Sequence, residues 1–407
     1  MRPFSHIRVF ILLVLLPTTL LIGCGTTTNL VTGETQRGAY TWAEEVQIGR
    51  ESDPQVIAQF GLYDDPALAA YVDRIGQAVL QTSAYTDPNT PAEVRNTPFY
   101  FRVLDSPVVN AMALPGGYIY VTRGLMAHLD NEAQLAVVLG HEIGHVLARH
   151  ASRRAANAQL GQFGLLGAAV VGGVLGGGNV AQGILDYGGA GVQILFLSYG
   201  RDDEREADRA GVAYAEFAGY DAAEAADFFG SLERLTNQGG GGGIPSFLST
   251  HPDPGERRQT IPQLAAQYDP DGTETNAATY LSQIDDIVLG NNPRQGYTEG
   301  TRFYHPDLRF QFSYPSGWSL NNSASAVQIS EPNGAAVLQF TFAQESSAQS
   351  AGQAFGGQQG ISVSSQGATS VNGNRAYRLQ GVANTNDGRI GFLAYFIEYG
   401  GNVYQFM

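Results

Sequence analysis

Between residues 137 and 150 the chain reads VVLGHEIGHVLARH, which holds three of its seven histidines. His141 and His145 are four residues apart. On a helix that spacing puts both rings on one face, one turn apart. Zinc takes imidazole nitrogen at about 2.0–2.1 Å, so the pair can hold one ion. Glu142 then sits beside the ion rather than on it, placed to accept a proton from water activated there.

A catalytic zinc needs a third protein ligand and an open position. The candidate segment is YGRDDEREADRAG, residues 199–211. Glu204 is the expected ligand. Asp208, four residues on, can hydrogen-bond the far nitrogen of a ligand histidine and fix its tautomer. Glu206 competes for the ligand role but lacks a neighbour as well spaced as Asp208. Taken alone, the segment reads as a solvated helix whose acids pair with Arg201, Arg205 and Arg209. Beside an H-E-x-x-H motif it becomes the third-ligand helix, and one Zn2+ per chain is expected.

These residues need elements to position them. LDNEAQLAVVLGHEIGHVLARH is expected as a long helix capped by Asp130 or Asn131. Residues 42–82 are expected helical, with Leu68, Val72, Ile75 and Val79 on one face. There Asp64 or Asp65 caps a first turn containing Pro66. FYFRVL and YIYVT read as strands around a PGG turn. Residues 161–198 are apolar but too short and glycine-interrupted to read as a membrane span; they are expected as a buried helical hairpin over the site, with a segment that dips into lipid as the alternative. The stretches 237–247 and 269–279 read as loops, and YLSQIDDIVLG as a short helix. From about residue 296 the pattern alternates in the manner of strands. The fold class is therefore α+β: a mainly helical domain with a small edge sheet, followed by a β-rich α+β domain.

The 407-residue length allows two or three domains, and 43% hydrophobic with 15% charged residues fits a globular core. A net charge of −15 argues against nucleic acid as a partner. The N-terminus reads as a signal segment: Arg2 and Arg8, then an apolar run, then LIGC ending at Cys24, the one cysteine in the chain. Cleavage before Cys24 would leave it to carry a lipid and attach the protein to a membrane. The expected layout is a signal peptide over 1–23, a polar tether over 24–40, a metallopeptidase domain over 41–290 and the β-rich domain over 296–407. The apolar strand pattern runs up to Met407, which fits either a fragment or a last strand that ends there.

HEIGHVLARH, EREADRAG, NAMALPGGYIYVT and THPDPGERRQTI together resemble the membrane-linked zinc metallopeptidases, the gluzincin group of the CaaX prenyl proteases, HtpX heat-shock proteases and periplasmic BepA-like proteases. The resemblance covers about residues 42–265, and the lipobox points to the BepA-like, soluble branch. It implies a zincin-type fold with Glu204 as third ligand and Asp208 behind a ligand histidine. It also implies that Asn110, Ala111, Met112 and Ala113 form an edge strand that pairs with extended substrate by main-chain hydrogen bonds. His251 is implied near the metal and Arg257 facing the cleft. His251 then either donates to the oxyanion of the tetrahedral intermediate or closes the fourth metal position and holds the enzyme off. His128 and His150 fall at no ligand spacing and read as structural. The tail resembles PsbP- or Mog1-like domains, where BepA-like proteins carry helical repeats.

Together these features imply a zinc-dependent endopeptidase on the periplasmic side of a bacterial envelope, lipid-anchored and expected at the outer membrane. Its expected substrates are misfolded or misassembled envelope proteins. The alternatives are a latent protease acting mainly as a chaperone or assembly factor, and an adaptor working through the β-rich domain.

Overall fold

A computed structural model describes residues 25–165, 199–237, 246–251, 253–268, 273–385 and 388–407. The expected signal peptide and Cys24, residues 166–198 of the expected glycine-rich hairpin, and residues 238–245 and 269–272 of the two expected loops lie outside the described residues. Among the described residues no helix is long and apolar enough to cross a membrane. The architecture is α+β, with helices and a small sheet first and a β-rich domain after.

The expected tether is instead an ordered hairpin. Strands β1 (Gly25–Thr28) and β2 (Thr35–Gly38) pair antiparallel. The hairpin docks on the end of the helix that carries the two histidines, with Leu30 N donating to Leu147 O at 3.2 Å and Ala39 N to Ser152 O at 3.2 Å. Its threonine-rich sequence has no apolar periodicity. Its order comes from contacts with residues more than a hundred positions away, so local pattern could not disclose it.

The helical stretch over 42–82 is two helices, Trp42–Phe60 and Pro66–Gln81. Thr41 and Glu44 form a capping box at the first, which Gly61 ends at φ +73°. Asp65 caps the second, accepting from Ala67 N and Leu68 N with Pro66 in the first turn. Leu68, Val72, Ile75 and Val79 are all buried, as their spacing predicts. Strands β3 (Tyr100–Leu104), β4 (Ala111–Leu114) and β5 (Tyr118–Thr122) form a sheet in the order β3-β5-β4, with β4 at an edge.

The motif helix, Glu132–Leu147, is capped by Asn131, whose side chain accepts from Gln134 N, and every residue in it is buried. A helix apolar nearly all round belongs at the centre of a domain. Its buried Glu132 is held by the hydroxyls of Tyr71 and Tyr220, each at 2.7 Å. Against it packs the glutamate helix, Arg201–Phe217. Small residues fill the crossing. A Cβ on Gly211 would lie 2.7 Å from the backbone nitrogen of His141, and one on Gly140 would lie 2.9 Å from Gly211 O. Glycine here permits a backbone approach that no side chain allows.

The C-terminal domain holds a three-stranded sheet of β6 (Tyr297–Glu299), β7 (Arg302–His305) and β8 (Phe310–Ser313). Beyond it come β9 (Ser319–Asn322), β10 (Ala326–Ser330), β11 (Val337–Phe342), β12 (Ile361–Val371), β13 (Asn374–Thr385), β14 (Gly388–Tyr399) and β15 (Asn402–Phe406). They form a seven-stranded sheet in the order β12-β13-β14-β15-β11-β10-β9, antiparallel at every pairing. The helix Ala348–Gly356 packs on this sheet, its Ala351 clustering with Leu379 and Phe396.

The helix crossing gives a direct prediction. Gly211→Ala forces an added methyl into the His141 backbone, and overpacking of this kind costs about 1–3 kcal/mol. Urea denaturation of the variant should show that loss, and wild-type stability would contradict the close approach.

Candidate metal centre

The motif helix presents His141 and His145 with their Nε2 atoms 2.9 Å apart. The glutamate helix brings Glu204 to them, with Oε2 3.6 Å from His141 Nε2 and Oε1 3.4 Å from His145 Nε2. The short helix Ser246–Thr250 then delivers His251, whose Nδ1 is 3.0 Å from Glu204 Oε1 and 3.2 Å from His141 Nε2. One donor atom from each of these four buried residues lies within 4.8 Å of all the others. Tetrahedral donors around a single zinc ion stand about 3.3 Å apart. The donor set, imidazole nitrogen with one carboxylate, is the set zinc prefers, so the residues fit that ion.

Groups behind the ligands set their orientation. His141 Nδ1 is 2.9 Å from Asp208 Oδ1, which puts the ring proton on Nδ1 and leaves the Nε2 lone pair facing the cluster. Arg257 clasps Asp208, with Nε 3.0 Å from Oδ2. Its guanidinium lies 4.2 Å from the centre of the Phe229 ring. Arg257, expected to face the cleft, is as buried as the clustered residues themselves, and besides Asp208 it approaches the cluster, with Nη1 3.6 Å from Glu204 Oε2. Burial, together with the charge of Arg257, pushes the His141 imidazole down to about 4. Neutral imidazole is the form that binds metal.

Glu142 stands apart. It is fully buried, and among the described residues neither of its oxygens has a hydrogen-bond partner. Burial pushes its carboxyl up to about 7. The nearest base is His251 Nε2, 3.5 Å from Oε1. An unsatisfied buried carboxylate is expensive. Here it sits one residue from His141 of the candidate metal cluster.

Other expectations meet mixed outcomes. Glu206 does not join the ligands: two residues beyond Glu204, it is about 200° around the helix, whereas Asp208 returns to the same face. Instead it accepts a hydrogen bond from Asn29. His128 is structural, with Nδ1 2.8 Å from Gly124 O. His150, also read as structural, contacts a ligand: its Nδ1 is 2.7 Å from His145 Nδ1. Tyr199 stacks on the His145 ring at 3.9 Å between centres. Spacing gave no sign of Tyr199; the density of histidines in one decapeptide was the signal for His150. Strand β4 begins one residue later than expected, at Ala111. Asn110 precedes it, its backbone N donating to Thr122 Oγ1 at 3.1 Å. Ala111, Met112, Ala113 and Leu114 are all buried. The start of this edge is covered by the segment that carries His251, since Phe247 N donates to Val109 O at 3.1 Å.

Residues 66–265 match the family described as Peptidase family M48. The chain carries a peptidase family M48 domain. This agrees with the membrane-linked metallopeptidase resemblance of its motifs. The beta-barrel assembly-enhancing protease of Escherichia coli (strain K12) is 28% identical over 260 residues, covering 63% of this chain and 50% of the relative. That of Yersinia pestis is 29% identical over 238 residues, 57% of this chain and 46% of the relative. The mitochondrial metalloendopeptidase OMA1 of Homo sapiens is 30% identical over 168 residues, 40% of this chain and 32% of the relative. The chain spans about half the length of the beta-barrel assembly-enhancing proteases it matches, and the M48 region includes all four clustered residues.

The ligand assignment is open to direct measurement. Wild-type protein should carry one zinc per chain, and Glu204→Ala should lose it, read by elemental analysis after dialysis. Full zinc content in Glu204→Ala would reject the third ligand.

Proposed function

We propose that the protein is a zinc-dependent metalloendopeptidase of the bacterial cell envelope. The observation that carries this reading is the unpartnered Glu142 carboxylate set against His141, His145 and Glu204. Zinc held by those three would act as a Lewis acid toward the scissile carbonyl and make water more acidic. Glu142 accepts the proton of the attacking water and returns it to the leaving amine. Asp208 and Arg257 hold the ligand His141 in the binding tautomer. Extended, unfolded chain is the substrate class suited to edge strand β4, which recognises backbone rather than side chains. The name beta-barrel assembly-enhancing protease printed for the bacterial relatives supports an envelope role; the substrates proposed here are misfolded or misassembled envelope proteins. Lipid on Cys24 would attach the protein to a membrane, which we take to be the outer one. No nucleic-acid partner is proposed.

Of the two roles open to His251, the geometry favours the holding role. Its Nδ1 joins the donor cluster, so it occupies the place that a catalytic zinc keeps for water or substrate. The same segment covers the start of the edge strand through Phe247 and Val109. One movement of residues 246–251 would therefore clear both the metal and the strand. A latent protease that acts mainly as a chaperone is the second reading, favoured by this closed arrangement.

Two variants test these assignments. Glu142→Gln should keep zinc and lose cleavage of an unfolded protein by at least about 100-fold, the scale of general-base catalysis. Undiminished cleavage would refute the base. Equal rescue of an envelope defect by Glu142→Gln and wild type would favour the chaperone reading. His251→Ala should raise basal proteolysis, and a collapse of activity would instead assign the oxyanion role.

A further inference from the structure

The two ligand histidines are braced differently. His141 leans directly on the Asp208 carboxylate. Among the described residues no carboxylate stands at His145 Nδ1; another imidazole does. His145 and His150 approach Nδ1 to Nδ1 at 2.7 Å, within hydrogen-bond distance, and both rings are buried. One of the two nitrogens must carry the proton. His145 turns its Nε2 toward Glu204 and His141, so that nitrogen carries the lone pair for the metal. Its proton is then on Nδ1, and His150 Nδ1 is the acceptor. That fixes His150 as the Nε2–H tautomer. This Nε2 faces Glu206 Oε2 at 3.5 Å, and among the described residues it makes no hydrogen bond.

The chain is built to hold this arrangement. The motif helix stops at Ala148, and Arg149 takes a left-handed conformation at φ +58°. That residue ends one helix and starts the next at His150, folding the His150 ring back over its predecessor. Arg149 is itself tied down, its Nε 3.0 Å from Glu45 Oε1. Glu206 is gripped from two sides. Asn29 donates to Oε1, and Arg153 approaches Oε2 at 3.5 Å. Asn29 belongs to the turn of the N-terminal hairpin, where its Oδ1 accepts from Val31 N at 2.9 Å.

We propose that His150 is a positioning residue for the metal centre, accepting a hydrogen bond from His145 Nδ1–H and holding its own Nε2–H against the negative charge of Glu206, so that the N-terminal hairpin braces the second ligand histidine. The inference rests on the reading of His145 as a zinc ligand. An imidazole followed by a carboxylate holds the ring and its tautomer as a direct carboxylate does, and partners of this kind typically contribute 10–100-fold in metal affinity. Glu206 takes from the relay the role that its place on the helix denies it as a ligand.

The test separates a hydrogen-bond acceptor from a space-filling ring. His150→Phe keeps a ring and removes the acceptor. His150→Asn loses the ring and keeps an acceptor near the Nδ1 position. Zinc affinity of the full chain is measured by competition with a chromophoric chelator, after thermal melting confirms that each metal-free variant is folded. His150→Phe should bind zinc roughly 10–100-fold more weakly, with His150→Asn closer to wild type. His150→Phe equal to wild type, or His150→Asn weaker than His150→Phe, overturns the relay. Imidazole nitrogen NMR of the zinc-loaded wild type provides a readout that needs no variant: His150 should be the Nε2–H tautomer, and the Nδ1–H tautomer overturns the proposal. If the wild type itself binds no zinc, the metal-centre reading fails and the relay with it; if it binds and only the variant order is wrong, the relay alone fails.

Discussion

The close crossing of the motif helix and the glutamate helix is the contact on which the site depends. Gly140 and Gly211 let the two backbones meet, and Gly144 faces Ala207 and Ala210 across the same seam. At a wider separation Glu204 would stand too far from the paired imidazoles to share an ion with them. Glycine inside a helix costs about 1 kcal/mol relative to alanine. The chain accepts that cost where it places a carboxylate against two histidines.

The second constraint is charge. Glu142, Glu204 and Asp208 are all buried, and a buried carboxylate is costly unless paired or bound to metal. Each is treated differently. Burial acts to raise Glu204, but the imidazoles of His251, His145 and His141 outweigh it and hold its carboxyl well below the usual range. Arg257 and His141 do the same for Asp208 against its burial. Glu142 makes no hydrogen bond among the described residues, and burial outweighs the nearby His251 and Arg257 and pushes it up instead. Three acids within one site thus have three different environments, which suit the proposed roles of ligand, orienting group and proton acceptor. Their surroundings divide them, as pairs of titratable groups in different environments commonly are.

Around this centre the chain closes from several directions. The hairpin that follows Cys24 abuts the far end of the motif helix and contacts Glu206. The segment 246–251 covers the near side through His251 and Phe247. Fixed supports lie behind the ligands. On the near side stands the short helix Ser246–Thr250, joined to its surroundings through Phe247 N to Val109 O and Tyr199 N to Thr250 O. Rigid backing and a covered front are what a preorganised site with controlled access requires.

The sequence alone determined which residues share a face, because helical periodicity is local. Two histidines four apart with a glutamate between them come to one face of a helix, as a metal pair and its base would need, and Asp208 shares the face of Glu204 by the same periodicity. The buried stripe of Leu68, Val72, Ile75 and Val79 and the strands around the PGG turn were legible for that reason too. Tertiary structure decided what no spacing encodes. It ordered the threonine-rich stretch as a hairpin, because its partners lie across the fold. It buried Arg257 behind Asp208, and it covered the edge strand. It also brought His150 to His145: five residues is not a ligand spacing on a continuous helix, and only the left-handed turn at Arg149 makes the two rings meet.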